Sequence, residues 1–169
     1  TVTNLIKTVL EHRGDKCGLI GTNGNMIGEK ALPTERTTPE SYELYKLLAQ
    51  MHSEGCGYVV MEVSSHSLVL DRVFGLEFET AVFTNLSRDH LDFHGTMEEY
   101  LKAKAMLFDR CKTGVINLDD KAGKVLIEEK KCPMITYSAK DNSADLVAKN
   151  IRLRPAQADF EAVTLNSIN

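Results

Sequence analysis

The sequence predicts an α/β fold with a mainly parallel sheet, flanking helices and a small antiparallel β appendage near the carboxyl end. Short apolar runs suited to strands alternate with longer segments of helical periodicity, which is typical of βαβ units. The apolar run at 58–63 is continuous, as expected for a strand covered on both faces. After Asp145 the helical periodicity gives way to two alternating segments, which predict the appendage.

The helices are predicted from apolar spacing and from capping residues. The first is amphipathic and ends near Gly14, with apolar residues at helical spacing: Val2, Leu5, Ile6, Val9 and Leu10. Further helices are expected at roughly 39–54, 97–110 and 119–130. Thr37 and Thr38 precede Pro39, where threonine can cap a helix and proline fits the first turn. Thr96 and Glu99 have the spacing of a capping box.

The strands and the domain limits follow from the same reading. Strands are expected at 17–21, 58–63, 81–86, 115–118 and 134–137, with the appendage formed by 146–153 and 160–165. We therefore predict a central domain at 1–140 and its β appendage at 141–169.

Composition excludes several classes of protein. The chain has 169 residues, 43% hydrophobic and 26% charged, which suits one globular domain and not a disordered chain. The net charge of −4, without a basic run, gives no reason to expect a nucleic-acid partner. No apolar run approaches the roughly 18 residues of a spanning helix, so membrane insertion is not expected. The four cysteines are widely spaced, which favours small buried hydrophobes in a reducing cytosol over a zinc site.

Glu62 follows the continuous apolar run and precedes a polar turn. This places its carboxylate at the carboxyl edge of the predicted sheet, where open α/β folds bind ligands. A carboxylate there can hold Mg²⁺ while the metal keeps waters and meets phosphate. The alternative is a glutamate that only caps neighbouring amides.

A second polar loop follows the next predicted strand. Asp89, His90, Asp92 and His94 crowd six positions of this loop, a density of metal-binding and hydrogen-bonding groups that suggests a site. His90 is the better candidate because it lies nearer the strand end. A solvated polar loop is the alternative reading, and for His94 alone it is favoured.

Lys104 falls on an apolar stripe. It shares helical spacing with Tyr100, Ala103, Leu107 and Phe108, whereas Lys102 points elsewhere. A lysine directed inward has its charged form disfavoured and becomes a usable neutral amine. Snorkelling, with the ammonium reaching water, is the alternative.

The glycine-rich segment 18–28 is expected to be a loop over a polar ligand, with Asn25 as a donor, or a turn without a ligand. It lacks the Gly-Lys-Ser/Thr sequence, so it is not a phosphate-binding P-loop.

These residues together resemble the Mur ligase family, and within it the central, P-loop-NTPase-like domain of the MurE type. The resemblance is dense over about 1–120 and is carried by these motifs: Gly18-Leu-Ile-Gly-Thr, Gly24-Asn-Met-Ile-Gly, Thr34-Glu-Arg-Thr-Thr-Pro-Glu-Ser, Met61-Glu-Val-Ser-Ser-His-Ser-Leu, Asp71-Arg-Val, Phe83-Thr-Asn-Leu, Asp89-His-Leu-Asp-Phe-His-Gly-Thr-Met-Glu-Glu-Tyr and Ala103-Lys-Ala.

The resemblance implies a role for each candidate residue. Glu62 would be a Mg²⁺ ligand near the ATP phosphates, His90 a ligand of a second Mg²⁺, and Lys104 a lysine carbamylated by CO₂ beside the metals. The residues that would hold the nucleotide-peptide substrate are Thr37, Thr38, Ser64 and Arg72, with Asn25 near the reacting carboxylate.

The implied reaction is ATP-dependent amide formation in peptidoglycan precursor synthesis, in the bacterial cytoplasm and by a monomeric parent. The D-glutamyl carboxylate of UDP-MurNAc-L-Ala-D-Glu attacks the γ-phosphate of ATP, and the amine of a diamino acid then displaces phosphate from the acyl phosphate. Either meso-diaminopimelate or L-lysine fits, because the selecting residues belong to a carboxyl-terminal domain.

Family members carry a P-loop immediately before the point where this chain starts, an amino-terminal domain that binds the uridine nucleotide, and that carboxyl-terminal ligase domain. We therefore expect the 169-residue chain alone to be inactive and to bind ATP poorly, which ATP-dependent ligation by the purified chain would contradict.

Other functions remain open on the residues alone. The cluster at 89–94 with Glu62 could serve a metal-dependent phosphoesterase, or the polar residues could be the surface of a non-catalytic binding domain. A related ligase acting on folate fits the context of Glu62 less well.

Overall fold

The computed structural model describes residues 2–129, 132–155 and 157–164. The chain divides into two compact units, Thr1–Gly75 and Leu76–Asn169. The sequence-based division, a domain at 1–140 with an appendage at 141–169, places its boundary elsewhere and stays a prediction. Each unit is described below by itself.

The first unit contains a four-stranded sheet in the order β3-β2-β1-β4. Its elements are α1 (Val2–His12), β1 (Cys17–Ile20), β2 (Asn25–Ile27), β3 (Lys30–Leu32), α2 (Ser41–Ser53), β4 (Tyr58–Met61) and α3 (Ser65–Val69). Strands β1 and β4 are parallel, whereas β2 pairs antiparallel with both β1 and β3. The carboxyl ends of β1 and β4 therefore lie side by side, with Ile20 opposite Met61.

The second unit contains a five-stranded sheet in the order β5-β6-β7-β8-β9. Its elements are β5 (Phe78–Phe83), α4 (Leu91–His94), α5 (Met97–Ala105), a 3₁₀ helix (Met106–Arg110), β6 (Cys111–Asn117), α6 (Lys121–Glu129), β7 (Met134–Ser138), β8 (Leu146–Arg154) and β9 (Gln157–Thr164). Strands β5 to β8 are parallel and β9 returns antiparallel to β8. The carboxyl ends of β5, β6 and β7 thus share one edge of this sheet.

The core of the second unit explains why its sequence alternates between strands and helices. Buried residues from two strands, α5, the 3₁₀ helix and α6 pack together: Ala81, Phe83, Ala105, Phe108, Ile116, Ala122 and Leu126. The helices therefore cover the parallel strands with apolar faces, the arrangement that βαβ periodicity predicts. This packing fixes α5, the helix that carries Lys104.

The predicted α/β class, with its parallel-rich sheets, flanking helices and antiparallel terminal pair, is confirmed. Thr96 caps helix α5, and its hydroxyl accepts the Glu99 N–H at 3.2 Å, which is one of the two hydrogen bonds of the predicted capping box. The appendage is the β8–β9 pair, although β8 also joins the parallel sheet by pairing with β7.

The glycine-rich segment 18–28 was expected to be a loop over a ligand or a turn, but most of β1 and all of β2 lie within it. Strand β2 forms a hairpin with β3, in which Ile27 pairs with Lys30 across a two-residue turn. Gly28 opens this turn with φ +56°, a conformation that glycine adopts without strain. A glycine at the first central position of a hairpin turn was the signal in the sequence.

Three further expectations were wrong in detail. Helix α2 is not capped by Thr37 or Thr38: its first turn starts after Glu40, whose N–H is accepted by the Glu43 carboxylate at 3.2 Å. Strand β4 is an edge strand of its sheet, so Tyr58 and Val59 are exposed instead of covered.

Helix α1 also turns a different face inward than its apolar stripe indicated. Thr3 and Lys7 are buried, whereas Leu5 and Val9 are exposed. Lys7 is compensated there by an ion pair with Glu11 at 2.6 Å, so its ammonium is not buried alone.

The cysteines are all free thiols, with Cys17 buried and the other three half-buried. Burial, together with a hydrogen bond to Cys132, raises the pKa of Cys111 to about 12. A thiol with so high a pKa carries little thiolate at neutral pH, in keeping with the predicted role as a small hydrophobe. Among the described residues, no helix is both long and apolar enough to cross a membrane.

We predict that Gly123→Ala destabilises the chain although alanine is the better helix former. Alanine gains about 1 kcal/mol of helix propensity over glycine. A Cβ at position 123 would nevertheless lie 2.1 Å from the Asn117 carbonyl oxygen, and that backbone atom cannot rotate away. We expect a net loss of roughly 1–3 kcal/mol, measured by urea unfolding.

Lys121→Ala, at an exposed position of the same helix, is the matched control and should change stability by less than about 0.5 kcal/mol. Equal stability of the Gly123→Ala and Lys121→Ala variants would contradict the predicted clash.

Candidate functional site

Glu62 follows β4 directly, and its carboxylate is held by hydroxyl and amide donors. Oε2 accepts the Thr22 hydroxyl at 2.6 Å and the Thr22 N–H at 3.1 Å, and Oε1 accepts the Thr3 hydroxyl at 3.3 Å. Burial raises the pKa of Glu62, but the hydrogen bonds from Thr22, the positive charge of the amino terminus and the hydrogen bond from Thr3 together outweigh it, so the pKa is lowered overall. The Glu62 carboxylate lies at the carboxyl edge as predicted, and it also accepts an amide N–H, as the alternative reading expected.

Close approach of β1 to β4 makes this arrangement possible. Gly21 follows β1 directly, and a Cβ there would lie 3.1 Å from the Glu62 carboxyl carbon. The Thr22 hydroxyl also lies 3.0 Å from the Thr37 hydroxyl. Thr37 is thus joined to Glu62 through one intervening threonine.

Thr38 is buried and makes hydrogen bonds to three other residues of this unit, Glu62, Ser64 and Arg72. Its side chain is 1% exposed, and its hydroxyl donates to the Glu62 carbonyl at 2.9 Å and accepts the Ser64 N–H at 3.1 Å. Both hydrogen-bonding roles of the hydroxyl are therefore used within the protein. Its own carbonyl accepts a hydrogen bond from Arg72 Nη1 at 3.3 Å.

Ser64 caps the short helix α3. Its hydroxyl accepts the Ser67 N–H at 3.1 Å, and its carbonyl accepts the Ser67 hydroxyl at 2.6 Å. The turn that follows Glu62 is consequently fixed both by this cap and by Thr38.

Arg72 comes after α3, next to Asp71, whose φ is +52°. Its Nη2 lies 2.8 Å from Glu40 Oε1, and its guanidinium is largely sheltered, with 12% of the side chain exposed. Its Nε is buried and has no hydrogen-bond partner among the described residues.

Asn25, the fifth predicted substrate residue, lies at the start of β2 and is 5% exposed. Its amide nitrogen donates to the Pro33 carbonyl at 3.4 Å, and its Oδ1 is buried with no partner within the described part of the chain. An unpaired buried acceptor costs about 1–3 kcal/mol, so this atom is unfavourable unless a donor meets it.

In the second unit, three residues singled out from the sequence, His90, His94 and Lys104, lie around the ring of Tyr100. Tyr100 is 6% exposed, with the His90 ring edge-on at 5.9 Å, the His94 ring stacked at 4.8 Å and Lys104 Nζ at 5.0 Å from the ring centroid. His90 has a φ of +54°, in the left-handed region. Non-glycine residues in that region are uncommon, and backbone strain of this kind clusters at functional sites.

Lys104 lies on the inward side of α5, between the buried Ala103 and Ala105. Burial lowers its pKa. Lys102, two residues earlier, is exposed and pairs with Glu99 at 2.7 Å. The predicted difference between the two lysines is therefore seen, and the lysine with a destabilised ammonium is Lys104.

The sequence reading missed a polar cluster at the carboxyl ends of β6 and β7. Asp119 accepts hydrogen bonds from the Ser138 hydroxyl and the Ala139 N–H, and Asp120 accepts the Leu86 N–H at 2.8 Å. Asn117 donates to the Thr84 carbonyl at 2.8 Å, which ties the end of β6 to the end of β5. The feature of the sequence that indicates this cluster is the run Asn117-Leu-Asp-Asp, which begins at the last residue of β6.

The predicted metal ligands are divided between the units: Glu62 lies in the first, and His90 and Lys104 lie in the second. Glu62 is an ionised carboxylate and Lys104 a sheltered amine that could become an anionic carbamate, so both can offer the oxygen ligands that Mg²⁺ prefers, whereas His90 offers a nitrogen. Within the described residues, no three or more His, Cys, Asp or Glu side chains are grouped to hold a metal.

Comparisons with known proteins place these residues in context. The chain matches the Mur ligase middle domain over residues 1–169. It is 52% identical, over 153 residues, to the UDP-N-acetylmuramoyl-L-alanyl-D-glutamate--2,6-diaminopimelate ligase of Caldanaerobacter subterraneus subsp. tengcongensis, a match that covers 90% of this chain and 32% of that protein. It is 48% identical over 161 residues to ligase 1 of the same description from Clostridium acetobutylicum, covering 95% of this chain and 33% of that protein.

The fold is also found among solved structures. One structure of a UDP-N-acetylmuramoyl-L-alanyl-D-glutamate--2,6-diaminopimelate ligase superimposes with a TM-score of 0.88 at 35% identity, covering 98% of this chain and 35% of that one. The chain therefore spans about a third of the length of the relatives it matches.

We predict that Thr22→Val raises the pKa of Glu62, because it removes the hydroxyl donor at 2.6 Å and leaves the burial. A lowered carboxyl pKa contributes stability that is complete above the ordinary glutamate value of about 4.3 and is lost as the pH falls through the lowered folded value. Thr22→Val should therefore lose stability against wild type at neutral pH and approach it in acid.

The measurement is an NMR titration of the Glu62 side-chain carboxyl, together with urea unfolding between about pH 3 and 7. Thr22→Ser keeps the hydroxyl and is the matched control. An unchanged pKa in Thr22→Val would show that Thr22 does not stabilise the ionised carboxylate.

Proposed function

Because the chain belongs to the Mur ligase family as a middle domain, we propose that its parent is an ATP-dependent ligase that joins a diamino acid to UDP-MurNAc-L-Ala-D-Glu. The parent would act in peptidoglycan precursor synthesis in the bacterial cytoplasm. The names of the relatives favour 2,6-diaminopimelate as the diamino acid over L-lysine.

One structural observation carries the proposal. Of the buried side-chain polar atoms in the described residues, the two without a partner belong to Asn25 and Arg72. Both residues match substrate-holding positions of the family. The Arg72 guanidinium is a donor suited to a substrate carboxylate, whereas the Asn25 acceptor is suited to a peptide N–H.

The residues that follow β4 would orient the nucleotide-peptide substrate. Thr37 and Ser64 lie on either side of the Glu62 turn, and Arg72 supplies a guanidinium for a carboxylate. Because the buried Thr38 hydroxyl already donates and accepts inside the protein, Thr38 would support the substrate site mainly by holding the turn after β4. Holding the D-glutamyl carboxylate in line with the γ-phosphate of ATP lowers the barrier mainly through orientation.

Glu62 would hold one Mg²⁺ and His90 a second, with a carbamylated Lys104 as a further anionic group, and bound Mg²⁺ would neutralise charge on phosphate oxygens. Carbamylation requires the neutral amine of Lys104: its lone pair forms a bond to the carbon of CO₂, one N–H proton leaves to solvent, and a carbamate anion results. The lowered pKa of Lys104 increases the fraction of neutral amine at a given pH.

Labelled oxygen tests the proposed reaction in the full-length parent. With ¹⁸O in the D-glutamyl carboxylate, an acyl phosphate intermediate transfers one ¹⁸O to the released phosphate. We expect this transfer to require ATP, Mg²⁺ and diaminopimelate. Hydrolysis of simple phosphate esters without ATP would instead support a phosphoesterase and overturn the proposal.

We predict that Lys104→Ala lowers the ligase activity of the full-length parent by about 100-fold, the upper range for loss of a metal-supporting group. Added short-chain carboxylates should restore part of the activity, because they can occupy the place of the carbamate. Steady-state rates with and without acetate measure both effects.

Lys102→Ala is the matched control, since Lys102 is an exposed lysine on the same helix. It should retain activity and show no response to acetate. Full activity in Lys104→Ala would remove the carbamate role.

A further inference from the structure

We propose that Glu40 is a positioning residue that orients Arg72 for the nucleotide-peptide substrate. This inference rests on the proposed function, in which Arg72 holds that substrate. Glu40 would act through Arg72 and would not touch the substrate itself.

The geometry around Arg72 leaves few orientations for its guanidinium. Nη2 lies 2.8 Å from Glu40 Oε1, and Nη1 donates to the Thr38 carbonyl at 3.3 Å. Two different nitrogens are therefore fixed by two groups of one short segment, which sets both the position and the plane of the guanidinium. The third nitrogen, Nε, is the buried atom left without a partner among the described residues.

Glu40 is itself held at a fixed point of the backbone. Its N–H is accepted by the Glu43 side chain at 3.2 Å, and its carbonyl accepts the Leu44 N–H at 2.8 Å in the first turn of α2. The carboxylate thus projects from the rigid start of a helix towards Arg72.

Glu40 also binds Arg36, so two arginines share one carboxylate oxygen. Arg36 Nη1 lies 2.7 Å from Oε1, but the Arg36 side chain is 52% exposed whereas Arg72 is 12% exposed. The Glu40 side chain is 45% exposed, so water reaches the carboxylate in both pairs, and the difference lies in the arginine, which is sheltered only in the pair with Arg72. The interaction with Arg72 is therefore the one with a consequence for the site.

Orientation matters because a long arginine side chain loses much rotational freedom when it binds a ligand. If Glu40 has already fixed the guanidinium, the conformational entropy of the Arg72 side chain is lost before the substrate binds, and binding does not have to offset it. Removal of Glu40 should therefore weaken binding of the nucleotide-peptide and leave the nucleotide triphosphate unaffected.

The test uses the full-length parent with three variants of similar size or exposure: Glu40→Gln, Glu43→Gln and Arg36→Ala. Glu40→Gln removes the charge that holds Arg72 and keeps the side-chain length. We expect its KM for UDP-MurNAc-L-Ala-D-Glu to rise roughly 10-fold, with KM for ATP and kcat changed less than 2-fold.

The other two variants separate positioning from a structural role. Glu43→Gln weakens the hydrogen bond at the start of α2 without touching Arg72, and Arg36→Ala removes the exposed partner. Both should leave all three kinetic constants within 2-fold. If Glu43→Gln raises the same KM as much as Glu40→Gln, and does so also in the Arg72→Ala background, helix stability explains the effect and the inference is overturned.

A double-mutant cycle completes the experiment. Adding Glu40→Gln to Arg72→Ala should raise the KM no further, because Glu40 acts through Arg72. Additive effects would overturn the positioning role. If Arg72→Ala alone leaves this KM unchanged, the substrate role of Arg72 in the proposed function fails; if Arg72→Ala raises it and Glu40→Gln does not, only the present inference fails.

Discussion

The hydroxyl of Thr38 is the constraint on which the first unit's site depends. It donates to the carbonyl of Glu62 and accepts the N–H of Ser64, so it holds the backbone on both sides of the turn after β4. Because this buried hydroxyl makes both hydrogen bonds, the cost of removing it from water is offset. The Thr38 side chain therefore holds the backbone of Glu62 and Ser64, while Thr22 and Thr3 hold the Glu62 carboxylate and the Ser64 hydroxyl caps α3.

In the second unit, the candidate residues are arranged around an aromatic ring. Tyr100 is buried on α5, and two histidines and Lys104 surround its ring. The ring face is attractive to a cation, which offsets part of the cost of sheltering the ammonium. Burial acts in the opposite sense and lowers the pKa of Lys104. Lys104 is therefore subject to two opposed effects, burial against its charged form and the ring of Tyr100 in favour of it.

The sequence predicted the fold class well because periodicity reports which faces are apolar, and the core around Phe108 and Ile116 follows that pattern. It predicted the ionised state of Glu62 only as a possibility, because the donors on Thr22 come from a residue 40 positions away. It could not predict that Thr38 is buried or that Glu40 meets Arg72, since these are contacts between segments with no shared period. The exposure of Tyr58 was missed for a similar reason. The order of strands in the sheet decides which strand lies at an edge, and the sequence of a single strand does not determine that order.

Satisfied and unsatisfied polar atoms divide the site into two kinds of residue. Thr22 and Thr38 have their donors and acceptors used within the protein, and substitution there should change geometry before it changes affinity. Asn25 Oδ1 and Arg72 Nε are buried without partners among the described residues, a state that is costly in the free protein. A ligand that supplies a donor to the first atom and an acceptor to the second would recover that cost on binding. Much of the binding energy would then come from Asn25 and Arg72, whose buried polar atoms are unpaired in the free protein. Thr22 and Thr38 would contribute by holding the surrounding backbone and the Glu62 carboxylate in place.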